Sequence, residues 1–444
     1  MEWTTEKVAT LAPDSGTESR GKKLATASKW SLFAADGRAV WGECKGSGSE
    51  PYYVKIDLMG PAYGCSCPVK KLPCKHIMGL FFLLAQQADF PVKDPPNWVS
   101  DWIAKRDAKS KKETAPATPK TEEERLKAQK AKEKRTQERL SLMESGVDEL
   151  EQWLLDLFRQ GFANVDINNS GFWEQAAFKM KDAKLSRVSY FMKETGEIAS
   201  KSANWTEELT ARVGELYLLV KAFRNIDTLP ELTQEEVFNT LGRNVKKSEV
   251  VEQGPTIKDK WLVLAKKEEV DLEGIQVRRV WLQGFQSQQE ALLLDYAFGN
   301  FGFEQQYVVG SVLDGELSYY PAAFLQRAVL SNTALIDFNI STLPILSDSI
   351  SHFQNKFVKV LAQNPWVLQV PVVLTNVFPF KDEFENYFLL DKDNKVLPLA
   401  NLRARVIWRM LAMSGGHPVT VIGEWNGASF EALSLWKDNK IEEL

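Results

Sequence analysis

Three of the four cysteines and one of the three histidines of this chain fall within residues 65–76. They form the pairs Cys65-Ser-Cys67 and Cys74-Lys-His76, separated by six residues. Three thiolates and one imidazole make the soft, four-coordinate shell that structural Zn²⁺ prefers. Because four protein ligands leave no position for water, the ion would shape a domain rather than catalyse. The spacing predicts one structural zinc ion.

Two other interpretations of these cysteines stay open: a disulfide, or a set of inert buried thiols. The N-terminus lacks the basic and apolar regions of a secretion signal, and four cysteines in 444 residues are too few for a disulfide framework. Both observations favour zinc in a reduced, cytoplasmic protein. Cys44 lies outside the spacing, and we expect it to be a buried thiol.

The flanking residues indicate the elements that position the four ligands. Strand-like residues 38–44 and 53–58 enclose a Gly/Ser-rich turn at 45–51, which is typical of a hairpin. Residues 74–88 look helical, with an apolar block at 77–85 that is too wide for a surface stripe. The second ligand pair therefore lies at the start of a helix, where free N–H groups stabilise thiolates.

The second strand of this hairpin alternates in character. Val54, Ile56 and Leu58 share one face, and the intervening, more polar residues share the other. This alternation predicts a half-buried sheet.

This arrangement resembles the SWIM zinc finger. Residues 41–47 and 53–57 are also similar to strands of bacterial SWIM proteins, and the resemblance covers about residues 25–88. It implies a ββα domain that binds DNA or proteins. It also implies that the zinc ligands are Cys65, Cys67, Cys74 and His76.

Composition divides the chain into four segments of an α+β protein. A Pro- and Lys-rich stretch at 91–120 marks a boundary, and a capping-box pattern at 121–124 begins a long charged helix. Helical periodicity then changes to strand-like runs from about residue 259. We predict a SWIM-type zinc finger domain at 1–100, a charged linker helix at 101–145, a helical domain at 146–250 and an α+β domain at 251–444.

Within these segments the pattern predicts individual elements. A capping box at 233–236 precedes Gly242, and Asn426-Gly427 joins two strands as a hairpin. Helical positions 209, 213, 216, 220 and 223 share one face, and helices are expected at 349–361 and 402–413. Strands are expected at 261–265, 276–282, 291–296, 306–309, 367–374, 387–390, 419–425 and 430–435.

Charge indicates where a polyanion could bind. Residues 1–140 carry 25 Lys+Arg against 18 Asp+Glu, a net +7, which leaves −11 for residues 141–444. Lys70, Lys71 and Lys75 lie inside the metal loop, where they could contact phosphates of DNA or RNA. Equally, they could offset the net negative charge of a zinc–thiolate centre. The sequence leaves both roles open.

Two further features have a nucleic-acid interpretation and a structural one. The run 105–139 carries a net +6, but its alternating signs favour a solvated helix over a polyanion grip. Aromatic residues on a small hairpin could stack on bases, but they more often form its core. These residues are Tyr52, Tyr53 and Tyr63.

Nothing in residues 141–444 predicts an active site. The segment lacks cysteine, nucleotide-binding loops and hydrolase motifs, and its two histidines, His352 and His417, are expected to be structural. We predict that the protein is not an enzyme. Its longest apolar run, residues 77–85, is also far shorter than the about 20 residues of a membrane span.

The sequence as a whole predicts a zinc-dependent recognition or adaptor protein. Its finger would be tethered by the charged helix to an acidic body, and protein partners are favoured because one finger rarely buries enough surface for specific DNA binding. The alternative is a DNA- or RNA-binding protein with a regulatory acidic body. Oligomeric state is not predicted.

Overall fold

The computed structural model describes residues 3–46, 50–59, 62–69, 72–86, 90–114, 122–201, 204–298, 302–303, 305–344, 347–400 and 404–444. It combines a small sheet with helices, a helical middle and a strand-rich C-terminal part, which confirms the predicted α+β class. Among these residues, no helix combines the length and hydrophobicity needed to cross a bilayer.

The N-terminal part is built on a four-stranded antiparallel sheet in chain order. The predicted hairpin and helix are present, and two further strands and two leading helices extend the expected ββα unit. Eight successive residues of the helix after the sheet are buried, because it packs on both leading helices and on the sheet. The elements are α1 Thr5–Ala9, α2 Ser15–Lys22, β1 Trp30–Ala35, β2 Ala39–Cys44, β3 Tyr52–Asp57, β4 Ala62–Cys65 and α3 Lys75–Gln86.

The second face of this sheet is partly covered by α4 Asn97–Thr114. Val99 of α4 packs in a small core with Trp41 of the sheet. Asp57 is buried on the same face, and its carboxylate lies 3.4 Å from the guanidinium groups of Arg38 and Arg106. The expectation of a half-buried sheet therefore holds for the buried Val54 and Ile56 and the exposed Tyr53, whereas Asp57 is buried because ion pairing compensates its charge.

The helical middle part comprises α5 Glu122–Gln160, α6 Ser170–Asp182, α7 Ser186–Lys201, α8 Trp205–Arg224, α9 Glu231–Leu241 and α10 Lys247–Gln253. With 39 residues, α5 is about 58 Å long. Its second half enters the core of the bundle from Met143 onward, as the apolar periodicity predicts. The predicted stripe on α8 is also buried: Leu209, Val213, Leu216, Val220 and Phe223.

The two predicted capping boxes have different outcomes. The box at 121–124 begins outside the described residues. The box at 233–236 is wrong, because α9 already begins at Glu231 after Pro230, and the Glu236 carboxylate accepts a hydrogen bond from Asn364 instead. Gly242 ends α9 as predicted, in the left-handed conformation (φ 113°).

A closed five-stranded barrel follows, in the order β5-β6-β7-β9-β8. The strands predicted at 261–265, 276–282 and 291–296 are present. The fourth predicted strand, at 306–309, is a loop. This loop is apolar because Tyr307 and Val308 are buried, not because it pairs with a strand. The strands are β5 Thr256–Val270, β6 Gln276–Gly284, β7 Glu290–Ala297, β8 Val312–Tyr319 and β9 Arg327–Ile336.

The last part is a six-stranded sheet in the order β12-β11-β10-β13-β14-β15. One face carries both predicted helices, and Val373, Ile422 and Leu433 on the other face enter the barrel core. The predicted hairpin at Asn426-Gly427 joins β13 and β14, with Gly427 at φ 94°. The elements are α11 Ile350–Gln363, β10 Val370–Lys381, β11 Tyr387–Leu390, β12 Val396–Pro398, α12 Ala404–Ser414, β13 Val419–Trp425, β14 Phe430–Lys437 and β15 Lys440–Glu443.

The N-terminal part packs directly on the barrel. The sequence analysis predicted only that the charged helix tethers the finger to the body. Val308 and Leu335 belong to the apolar core formed around α3. The loop that carries Val308 is held by Arg278, which is fully buried, pairs with Asp295 at 2.7 Å and lies 4.8 Å from the ring of Tyr307. A buried cation thus positions the surface on which α3 rests.

Replacing Val308 with Asp should detach α3 from the barrel, since an unpaired carboxylate is costly in an apolar contact. We expect hydrogen exchange in α3 to accelerate about tenfold or more, equivalent to about 1.4 kcal/mol. Val270→Asp is the control, because that side chain is 67% exposed on β5. Unchanged protection of α3 in Val308→Asp would contradict the docking.

Candidate metal centre

The structure brings together the four predicted zinc ligands. Cys65 ends β4, Cys67 follows two residues later, Cys74 directly precedes α3 and His76 lies in its first turn. Their ligand atoms all lie within 4.8 Å of one another. His76 Nδ1 is 3.7 Å from Cys65 Sγ and 3.9 Å from Cys74 Sγ. Tetrahedral zinc with Zn–S bonds of about 2.3 Å and Zn–N bonds of about 2.0 Å separates a nitrogen from a sulfur by about 3.5 Å and two sulfurs by about 3.8 Å, so the cluster is close to the size that the ion requires.

Each of the three sulfurs also accepts a hydrogen bond from the backbone. The N–H of Cys67 donates to Cys65, that of Val69 to Cys67 and that of Ile77 to Cys74. Such donors stabilise the thiolate form that binds zinc. The Cys74 carbonyl accepts from Met78 at 3.0 Å, so Cys74 caps α3 and places its sulfur at the positive end of the helix.

The metal-free cluster already favours one thiolate. The Cys65 thiol donates to the Cys74 sulfur and lowers the pKa of Cys74 to about 4, with further contributions from His76 and the Ile77 N–H. The pKa of Cys65 rises, first because of that hydrogen bond and then because of burial. Burial also raises the pKa of Cys67. Zinc binding therefore releases protons from Cys65 and Cys67.

Packing fixes the imidazole and closes the site. The ring of Tyr52 stacks on that of His76 with centroids 4.6 Å apart. Cys67, Cys74 and His76 are buried, and the cluster adjoins the apolar core around α3. A closed shell of three thiolates and one imidazole inside a core is the chemistry of a structural zinc site. The ion would supply folding free energy and no open coordination position.

The other cysteine and the other histidines lie apart from this cluster. Cys44 is a free, buried thiol, as expected, and burial raises its pKa to about 11. His352 is exposed on α11 and lies 3.2 Å from Asp348, and His417 is exposed before β13. Among the described residues, only Cys65, Cys67, Cys74 and His76 form a group of three or more metal-ligating side chains.

The lysines of the metal loop, for which phosphate contact and charge compensation both stay open, lie only partly within the described residues. Lys70 and Lys71 lie outside the described residues. Lys75 is exposed at the first position of α3. Lys55 of β3 packs against α4. Its ammonium lies 5.4 Å from the ring of Trp102, and burial lowers its pKa.

The tyrosines of the finger form packing contacts within the fold, which is the structural role that the sequence analysis favours over base stacking. Tyr63 is half-buried and packs edge-on against Phe81, and Tyr53 packs edge-on against Trp98 of α4. Sequence reasoning missed the part played by α4. The signal was Trp98 and Trp102, four residues apart on one face of a helix.

Two family models match the chain. The SWIM zinc finger matches residues 58–85, which include all four ligands. The SWIM-associated four-helix bundle domain matches residues 138–241, the bundle that begins in the second half of α5. Searches of curated proteins and of solved structures find no match.

Cys74→Ser should lose zinc and unfold the sheet and α3, because metal binding supplies folding free energy in so small a unit. The measurements are zinc content by mass spectrometry and hydrogen exchange in α3. Cys44→Ala is the matched control: it removes a buried sulfur beside the cluster and should keep one zinc per chain. A zinc-free Cys74→Ser variant with a protected α3 would contradict a structural metal.

Proposed function

Because the chain carries a SWIM zinc finger with one structural zinc ion, we propose that it is a recognition protein that binds protein partners and catalyses no reaction. The observation that carries this proposal is the closed Cys₃His cluster inside a core that continues onto the barrel. Zinc at this site keeps the surface of the finger in one conformation. Because the finger is docked on the barrel, the finger and the body present their surfaces to a partner as one unit. The reduced thiols favour a cytoplasmic location.

The body has properties that favour protein partners over nucleic acid. Residues 141–444 carry the net charge of −11, which repels phosphates. Several large apolar side chains are exposed on this acidic body, as expected for protein contacts. The most exposed aromatic ones are Phe384 at 74%, Trp408 at 66%, and Phe178 and Phe298 at 65%.

One observation supports nucleic acid as a second candidate. Lys127, Lys130 and Arg135 are exposed on the first half of α5, where a phosphate backbone could reach them. The same stretch also carries acidic residues, and Lys134 pairs with Glu138 at 3.9 Å. The first half of α5 is therefore a mixed-charge solvated helix, which makes this candidate the weaker one.

Nucleic-acid binding separates the two candidates. We expect the zinc-loaded full-length chain to show no binding tighter than about 10 μM to single- or double-stranded DNA or RNA at about 50 mM salt. Micromolar binding that falls steeply by about 200 mM salt would overturn the adaptor proposal. Triple Lys→Gln variants would then locate the contact: Lys70, Lys71 and Lys75 in the finger, or Lys127, Lys130 and Lys134 on α5.

A second prediction concerns the partner directly. Full-length protein, tagged and expressed at its natural level, should co-purify with a defined protein after nuclease treatment. Cys74→Ser should lose that protein, whereas Cys44→Ala should retain it. A nuclease-sensitive complex, or one indifferent to loss of zinc, would contradict a zinc-organised protein adaptor.

A further inference from the structure

An uncovered apolar surface lies on β10, β11 and β12. Residues directly opposite each other in antiparallel strands share a face. Phe378 pairs with Leu390 and Phe380 with Phe388, and the next strand continues both rows with Val396 and Pro398. These six side chains, which we call the β10–β12 face, are all apolar: Phe378, Phe380, Phe388, Leu390, Val396 and Pro398.

None of these six side chains belongs to an apolar core among the described residues. On the opposite side of the same strands, Leu389 and Leu397 are buried in the core with α11 and α12. The β10–β12 face lies on the side of the sheet that the barrel covers at Val373, but it extends past the barrel. Phe378 is 37% exposed and Val396 is 50% exposed. Within the part of the chain that the structure describes, this apolar sheet surface is therefore only partly covered.

The hairpin beside this face is acidic. Residues 381–385 join β10 to β11 and carry three carboxylates against one ammonium. Lys381 pairs with Glu385. Phe384, 74% exposed, projects from the same hairpin beside Glu383. Aromatic contact area next to uncompensated carboxylates suits an apolar segment that also carries Lys or Arg.

The dimensions of the face favour a short segment over a second copy of the chain. Three strands about 4.8 Å apart, with two facing positions about 7 Å apart on each, cover on the order of 200 Å². A stable dimer buries about 800 Å² on each partner. Strand addition is also disfavoured, since the edge strand β12 has only three residues and ends in Pro398.

We propose that the β10–β12 face is the docking site for a short basic amphipathic helix of a partner protein. The apolar stripe of the helix would lie on Phe378 and Val396, and its Lys or Arg residues would face Glu383. This inference rests on the proposed adaptor function and gives the same partner a second contact on the C-terminal sheet, in addition to the surface that zinc holds.

The test uses the full-length protein and a displayed library of random 16-residue peptides. Selected peptides should combine apolar residues at helical spacing with Lys or Arg, and the best are synthesised. Phe378→Ser with Val396→Thr should weaken their binding about tenfold or more, and Glu383→Gln should weaken it about threefold. Leu218→Ser, at a side chain 47% exposed on α8, and Glu252→Gln on α10 are the matched controls.

Three outcomes would overturn the docking site. Selection could yield no binder, peptides indifferent to Phe378→Ser with Val396→Thr, or acidic peptides. Self-association that this double variant abolishes would assign the face to a second copy instead. A partner that co-purifies equally with the double variant would leave the adaptor function standing and remove this site. Salt-sensitive nucleic-acid binding would instead remove the adaptor function itself.

Discussion

The N-terminal part of the structure depends on the coordination of one zinc ion by two short backbone segments. Cys65 and Cys67 end the sheet, and Cys74 and His76 begin α3, so the ion closes the connection between the two elements. Both segments bring their own N–H donors to the sulfurs, which stabilises the thiolates before any metal arrives. Because α3 is buried along eight successive residues, its placement by zinc also places the apolar core around it.

The zinc cluster was predictable because its chemistry is local. Four ligands within residues 65–76 need no distant partner to be identified, and the same spacing placed them at a strand end and a helix start. The strands with regular alternation or clear turns were predictable for the same reason. The hairpin at Asn426-Gly427 is an example, since Gly427 supplies the positive φ that its turn requires.

What the sequence did not show is which surfaces meet. Alternation in β3 separates its two faces, but it says nothing of α4, which buries Asp57 and holds Lys55 on the face expected to be open. The apolar loop 306–309 resembles a strand because burial alone selects such residues, whatever element they form. Position 233 matches a capping pattern, but the structure gives Glu236 a distant partner, Asn364. Each of these differences comes from contacts between residues far apart in the chain.

Two adjacent residues of β6 show how the barrel joins the finger to the C-terminal sheet. Arg278 and Arg279 point to opposite sides of the strand, as alternation requires. Arg278 holds the loop that meets the finger, and Arg279 donates to Glu424 of β13 at 2.9 Å. Trp281 donates to the same carboxylate at 2.6 Å. A buried charge that loses its partner is costly. The contact of Arg278 with the loop and that of Arg279 with β13 therefore both oppose separation of these parts from the barrel. The barrel therefore acts as a spacer that holds the zinc finger and the sheet bearing the β10–β12 face in one fixed arrangement.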